Sequence, residues 1–394
     1  MSLWLGILIG FVILMLIVTV HELGHFWAAR KSKIDVDEFG IGMPPRAWAK
    51  ALKSGVVLSL NWLPIGGFCK MKGETDEDKR KGSFGRASYG GKTFTLFGGI
   101  LANLTLGVVI LTVLAWVGLP VMLPNQFHMG GGEIVSDNRI KVTEVQEGSP
   151  AEEVGIGVGD YIMWLGSPEN VINPWETNMP EWTKEHAGQT VELGVLCAEC
   201  EEGDVQTVMV TLNPEGTESG FYLGTVSQVT GSVAPMYYAR WWQAPIVGAV
   251  TTGQLTYETV KGVGELLYNL VSGVFRQINL DEGVRHDGQE ALGKAGDAVT
   301  GPVGIIGVFF PAFASAGIRE LSFLTALISI SLAVMNILPI PALDGGRWTL
   351  ITVYKLRRKK LTARIEERAV GVSFMILMGL FVLITVLDVM RFFR

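Results

Sequence analysis

Cysteine is scarce in this chain of 394 residues, and the three present, Cys69, Cys197 and Cys200, exclude a disulfide-stapled scaffold. Charge is scarce too, at 18% against about 25% for ordinary soluble domains, and mean hydropathy is +0.35. A soluble globular protein is thereby excluded. The apolar N-terminus lacks a basic leading region, and no small-residue cleavage site precedes His21, so it reads as a membrane span and not as a removed leader. Histidine is rare as well, with five in all. That makes the placement of two of them informative.

Those two are His21 and His25, in Thr19-Val20-His21-Glu22-Leu23-Gly24-His25, at the end of an uncharged run from Leu3 to Val20. Four residues apart on a helix, two imidazoles share a face and can share one Zn²⁺, while Glu22 between them can serve as general base. Chance produces such a match about 0.004 times in a chain of this His and Glu content. Packing is a weak explanation, because ionisable residues in a span are costly and functional by default.

Four spans are expected, at about 3–29, 94–117, 321–338 and 370–387. Gly98-Gly99-Ile100-Leu101-Ala102-Asn103 opens the second with a small-residue face, for which close helix packing is a sufficient reason. Between the first two spans, 30–92 carries 13 Lys/Arg against 7 acids, and its 34–42 and 56–71 stretches read as membrane-associated hairpins. A second basic loop, 347–368, carries 8 Lys/Arg against Glu366 and Glu367. Both loops should be cytoplasmic. Four spans then put both termini outside, together with the acidic stretch 118–240, which has 18 acids and four bases.

That stretch reads as an α+β module, with strands at 139–145, 161–165, 191–196 and 205–212 around a Gly148-Ser149-Pro150-Ala151 connector. Residues 243–275 have a helical apolar period interrupted by Glu258, Lys261 and Glu265, which suits an interfacial amphipathic helix better than a fifth span. A polar linker, 279–301, follows. Cys197-x-x-Cys200 lacks a second pair, so a local disulfide or two free thiols fit it better than zinc.

A catalytic zinc needs a third protein ligand. His128, His186 and His286 fall in segments placed outside and read as surface residues. Asp344 follows a span broken by Pro339 and Pro341, at the depth expected of His21. It could be that ligand, or simply the N-cap of the next helix.

His21-Glu22-Leu23-Gly24-His25 together with Asn336-Ile337-Leu338-Pro339-Ile340-Pro341-Ala342-Leu343-Asp344-Gly345-Gly346 resembles the paired signatures of the site-2 protease family of intramembrane zinc metalloproteases. Pro64–Met71, Gly40-Ile41-Gly42, Gly98–Asn103 and Gly301–Ile305 are similar to further motifs of that family. The layout resembles its bacterial regulator-of-sigma-E protease branch, and the acidic module resembles a PDZ domain. The resemblance implies a polytopic α-helical membrane protein with four transmembrane helices, a membrane-associated β-hairpin region and one extracytoplasmic PDZ-like α+β domain. It implies zinc held by His21, His25 and Asp344, with Glu22 as base. Asn336 and the hairpin residues Gly40, Ile41 and Gly42 would bind substrate, the hairpin presenting an edge strand to it. Gly220–Val226, with Tyr222, Leu223 and Gly224, would be the PDZ peptide-binding strand, taking peptide C-termini. The branch often carries two PDZ domains, and this chain has room for one. Implied partners are the lipid bilayer and single-span membrane proteins such as anti-sigma factors or remnant signal peptides, cut in the bacterial inner membrane; no nucleic-acid partner is expected.

Two other functions compete. A catalytically silent adaptor that binds through the PDZ-like module is opposed by the intact Glu22. A membrane-anchored protease that cuts at its aqueous face is opposed by Asp344 standing where a downstream Glu would be expected.

Overall fold

The computed structural model describes the chain except residues 1–2, 121–122, 124–125, 130–131, 135–138, 168–169, 173–178, 198–204, 215–221, 231–234, 239, 278–284, 286–287, 290–292, 294–300 and 393–394. The chain divides into two compact units. One comprises Met1–Leu119, Asn125–Gly132 and Tyr237–Arg394, and the other comprises Pro120–Pro124 and Glu133–Met236.

The first unit is mostly helical. Its long apolar run forms α1 (Leu3–Lys31), which presents the small residues Gly6 and Gly10 to Pro311 and Phe310. Even a Cβ there would overlap those rings, so the small residues set how closely the elements approach. Two strands follow, β1 (Val36–Ala51) and β2 (Val57–Met71), then α2 (Tyr89–Leu96), capped by the Ser88 hydroxyl, and α3 (Gly98–Val117). Gly24 of α1 and Gly98 of α3 meet backbone to backbone.

The β1–β2 sheet is more folded than a simple hairpin. Glu38–Ile41 have partners on both sides, Lys70–Gly67 on one and Val57–Leu60 on the other. The outer part of the sheet carries exposed Trp48, Trp62 and Leu63. Gly40 and Ile41 thus occupy an interior strand whose backbone is already paired, which corrects the expectation that they offer a free edge.

In the second unit the strands are β3 (Arg139–Val145), β4 (Tyr161–Ser167), β5 (Asn170–Ile172), β6 (Thr190–Leu196), β7 (Val205–Thr211) and β8 (Thr225–Thr230). Their sheet runs β8-β3-β4-β6-β7, with β5 paired to β4. Two short helices, α4 (Pro150–Glu153) and α5 (Met179–Glu185), complete a core built on Val142, Ile162, Leu165, Leu193 and Val210. Tyr222-Leu223-Gly224 is a turn and not a strand. Gly224 has φ +80°, Leu223 is buried in the core, and the edge strand starts only at Thr225. Gly220 and Phe221 lie outside the described residues. Cys197 is disulfide-bonded and Cys69 is a free thiol; Cys200 lies outside the described residues.

Back in the first unit, α6 (Gln243–Gln277) is a single 35-residue helix. Its first half packs on α3. Gly248 sits against the backbone of Thr112, Thr252 approaches Gly107, and Val247, Thr251 and Leu255 are buried. The second half exposes Tyr257, Tyr268 and Phe275. Most of the 279–300 stretch, His286 included, lies outside the described residues.

The chain continues through α7 (Phe310–Ala316), α8 (Ile318–Ile337), α9 (Asp344–Leu356) and α10 (Ala363–Phe392). Among the described residues four helices are long and apolar enough to cross a membrane: Leu3–Lys31, Gly98–Val117, Ile318–Ile337 and Ala363–Met390.

Candidate metal centre

The two histidines come from one face of α1, as their spacing requires. His21 and His25 are 6% and 5% exposed and pack edge to face, 4.8 Å between ring centroids. Asp344 arrives from a different part of the chain. Pro339 forces Leu338 into extended backbone (ψ 144°), which ends α8 at Ile337. The chain then turns tightly, with Leu343 N–H donating to the Ile340 carbonyl at 2.8 Å. Gly345 and Gly346 lie so close under this turn that a Cβ on either would overlap the carbonyls of Ile337 and Ile340. Asp344 is therefore the first residue of α9. Leu343 takes the N-cap position, with no side-chain cap bond. The N-cap alternative for Asp344 is thus not the arrangement found.

His21 Nε2 lies 3.2 Å from Asp344 Oδ2, His25 Nε2 lies 3.1 Å from the same oxygen, and the two Nε2 atoms are 3.1 Å apart. His25 Nδ1 is 2.8 Å from the Thr95 carbonyl. A carbonyl can only accept, so Nδ1 carries the hydrogen and the Nε2 lone pair of the neutral ring points into the triangle. Two imidazole lone pairs and a carboxylate oxygen would repel one another without a cation between them. Tetrahedral zinc at about 2.0–2.1 Å from each donor needs donors roughly 3.3 Å apart, close to the triangle observed. Among the described residues, His21, His25 and Asp344 form the one group of three or more such side chains placed to hold a metal ion. His128 and His186 are engaged elsewhere: His128 Nδ1 faces the Gln126 carbonyl, and His186 stacks on Trp182.

Glu22 lies beside the triangle and against β2. The Cys69 backbone N–H donates to its carboxylate, and its Cγ lies beside Gly67. The segment that borders Glu22 is therefore Gly67–Cys69. Asn336 donates to the Leu332 carbonyl of its own helix at 3.0 Å and is half-buried.

Two residues read from sequence as packing residues have a second role. Asn103 is fully buried, and its amide lies 3.3 Å from His21 Nδ1. Its Oδ1 has no partner, while the Ser329 hydroxyl donates to its backbone carbonyl at 3.0 Å. A half-turn of the amide offers Oδ1 to His21 Nδ1–H, which frees Nε2 for the ion. Gly99 lies directly against both imidazoles: a Cβ there would fall 2.5 Å from His25 Nε2 and 2.6 Å from His21 Nε2. The signal was present, since Gly98–Asn103 was a marked motif, but small residues also pack helices in lipid.

The sequence profile of peptidase family M50 matches residues 9–380. The chain is 31% identical to a protein of Clostridium perfringens, provisionally named a zinc metalloprotease, over 95% of each chain. It is 27% identical to a relative in Streptococcus pneumoniae over 99% of each. A relative in Nostoc is also 27% identical, over 95% of this chain and 93% of its own. Both of these carry the same provisional name.

Proposed function

Because this chain belongs to peptidase family M50 and is an intramembrane zinc metalloprotease of the site-2 type, we propose that it cuts the membrane segments of single-span proteins already trimmed outside the cell. This is regulated intramembrane proteolysis, in the regulator-of-sigma-E protease branch, with anti-sigma factors or remnant signal peptides as the substrate class. The observation that carries the reading is the meeting of Glu22, the His21–His25–Asp344 triangle and the sheet segment Gly67–Cys69 at the ends of apolar helices.

His21, His25 and Asp344 are the proposed zinc ligands. When bound, zinc lowers the pKa of its water to about 7 and polarises a carbonyl. Thr95 and Asn103 hold the imidazoles in the required tautomer. Glu22 takes the proton of the attacking water and delivers it to the leaving amide nitrogen, while the Cys69 N–H orients its carboxylate. A helical substrate cannot be cut while its carbonyls are held in i→i−4 bonds, so the substrate must be extended. The β1–β2 sheet would pair with it. Of that sheet, Gly67–Cys69 is the segment nearest Glu22, and Gly40, Ile41 and Gly42 support it from within. Asn336 would contact the substrate at the end of α8.

The net positive charge of the loops at 30–92 and 347–368 supports an active site near the cytoplasmic side of a bacterial inner membrane, with both termini outside. The unit built on β3–β8 is then a single PDZ-like domain outside the membrane that selects substrates, and Tyr222, Leu223 and Gly224 lead into its edge strand. Glu22→Gln should keep zinc, lose cleavage of a reporter span by about 10²–10⁴-fold, and co-purify with the uncut substrate. Asp344→Ala should lose the metal. Full cleavage by Glu22→Gln would end this reading in favour of a silent adaptor.

A further inference from the structure

A second chemistry-bearing site lies away from the metal centre, where α10 begins. A cavity of about 480 Å³ opens between the loop 76–79, α2, the end of α9 and the turn leading into α10, within the size range of small-ligand sites. Five lysines line it, Lys79, Lys92, Lys355, Lys359 and Lys360, against two carboxylates, Asp76 and Glu77.

Both carboxylates are already engaged. Asp76 pairs with Lys92, whose side chain is 8% exposed. Glu77 Oε2 accepts from the Ala363 N–H at 2.7 Å, closing the first turn of α10. Nearby Glu366 offers the cavity nothing, since it accepts from Asp76 N–H at 2.9 Å and from Arg347 at 3.3 Å. These bonds tie the loop, α9 and α10 together, so the walls of the cavity hold one another in place.

The lysines are not balanced in the same way. Lys355 lies over the Tyr89 ring, 3.5 Å from its centroid, and Lys79 donates to the Asp76 and Gly85 carbonyls. Among the described residues, Lys359 and Lys360 are exposed and have no ion-pair partner. The cavity is a preformed site with more positive charge than its two carboxylates balance. Leu361 and Ile351 are buried beside it, and the apolar helix Ala363–Met390 begins at its lip. The site therefore stands at headgroup level, where cationic pockets between membrane helices take anionic headgroups.

We propose that this cavity binds the phosphodiester headgroup of an anionic phospholipid, with Lys359 and Lys360 as its primary contacts and Lys92 and Lys355 as its inner wall. A soluble phosphate shares the chemistry. The lipid is favoured because the cavity adjoins a span whose surface receives the acyl chains.

The test uses the full-length protein reconstituted into nanodiscs of phosphatidylcholine with a minor fraction of phosphatidylglycerol, then extracted and analysed for bound lipid by native mass spectrometry. The expected result is about one phosphatidylglycerol retained per chain, undiminished by millimolar inorganic phosphate. Lys359→Ala/Lys360→Ala should weaken retention roughly tenfold to thirtyfold. Lys50→Ala/Lys53→Ala removes the same charge from an exposed stretch of the other basic loop, 30–92, and should leave retention intact. Zinc content should be unchanged in both. Equal loss in the two double variants would reduce the effect to diffuse surface charge and overturn the site. So would retention of phosphatidylglycerol no greater than its share of the nanodisc, and displacement by inorganic phosphate would assign the cavity to a soluble anion instead.

Discussion

The Asn103 amide meets His21 Nδ1 at 3.3 Å, across 82 residues of sequence, in a site with no exposure to solvent on the asparagine. In the proposed zinc site, an Asn103 oxygen turned to His21 Nδ1–H would leave Nε2 for the metal. Asn103→Ala should therefore weaken zinc binding by about 10–100-fold, as loss of such outer partners generally does. Asn103→Asp keeps an acceptor at the same place and should recover much of that loss. Competition with a chromogenic chelator measures both, and wild-type zinc retention by Asn103→Ala would reduce the residue to packing.

Gly99 makes a sharper demand. Its missing side chain is what allows α3 to lie against both imidazoles, so Gly99→Ala should displace the rings and lose most of the zinc and the activity. Gly90→Ala is the control, since a Cβ at Gly90 meets nothing within 4 Å. Zinc per chain in the two purified variants checks the prediction. Equal zinc in both would mean that the helices shift apart at little cost.

Cys69 lies next to the proposed base but should not behave as a reactive thiol. Burial, followed by the charges of Glu22 and Glu74, pushes its pKa up to about 12. Only the thiolate alkylates, and a raised pKa keeps the thiol protonated through neutral and mildly alkaline pH. Maleimide labelling of the folded protein at pH 7 to 9 should be far slower than labelling of an engineered exposed cysteine such as Lys81→Cys, and it should rise on unfolding. Rapid labelling of Cys69 in the native protein would contradict the burial.

Orientation in the membrane can be read with the same reagent. Lys81→Cys lies in the first basic loop, and Val158→Cys lies on the β3–β8 unit, where Val158 is 68% exposed. In intact cells an impermeant maleimide should label Val158→Cys and spare Lys81→Cys until the membrane is opened. The reverse pattern would invert the proposed topology.

Much of this protein is legible without coordinates because its strongest signals are local. Eighteen uncharged residues before His21 form a helix and seek lipid, whatever the rest of the chain does. His21 and His25 share a face because a helix repeats every 3.6 residues. The strands at 139–145 and 205–211 follow from alternation and turn residues of their own segments. Where only local pattern is available for a non-local question, the reading stops short. Residues 243–275 show an apolar face interrupted by Glu258, Lys261 and Glu265, but that Gly248 and Thr252 pack against α3 is something no local pattern displays. Gly40 and Ile41 looked like an edge because strand periodicity says nothing about how many neighbours a strand has.

The sequence by itself determined that this chain enters a membrane and carries two imidazoles and a carboxylate on adjoining positions of one helix, since both properties are set within a few turns of backbone. Only the tertiary structure decided that Asp344, 323 residues from His21, completes the triangle, and that Thr95 and Asn103 choose the tautomers. The physical reason is that a metal site is a set of distances. Distances between remote segments come from how closely backbones can approach, here through Gly24 on Gly98, Gly99 on the imidazoles, and Gly345 and Gly346 under the proline turn.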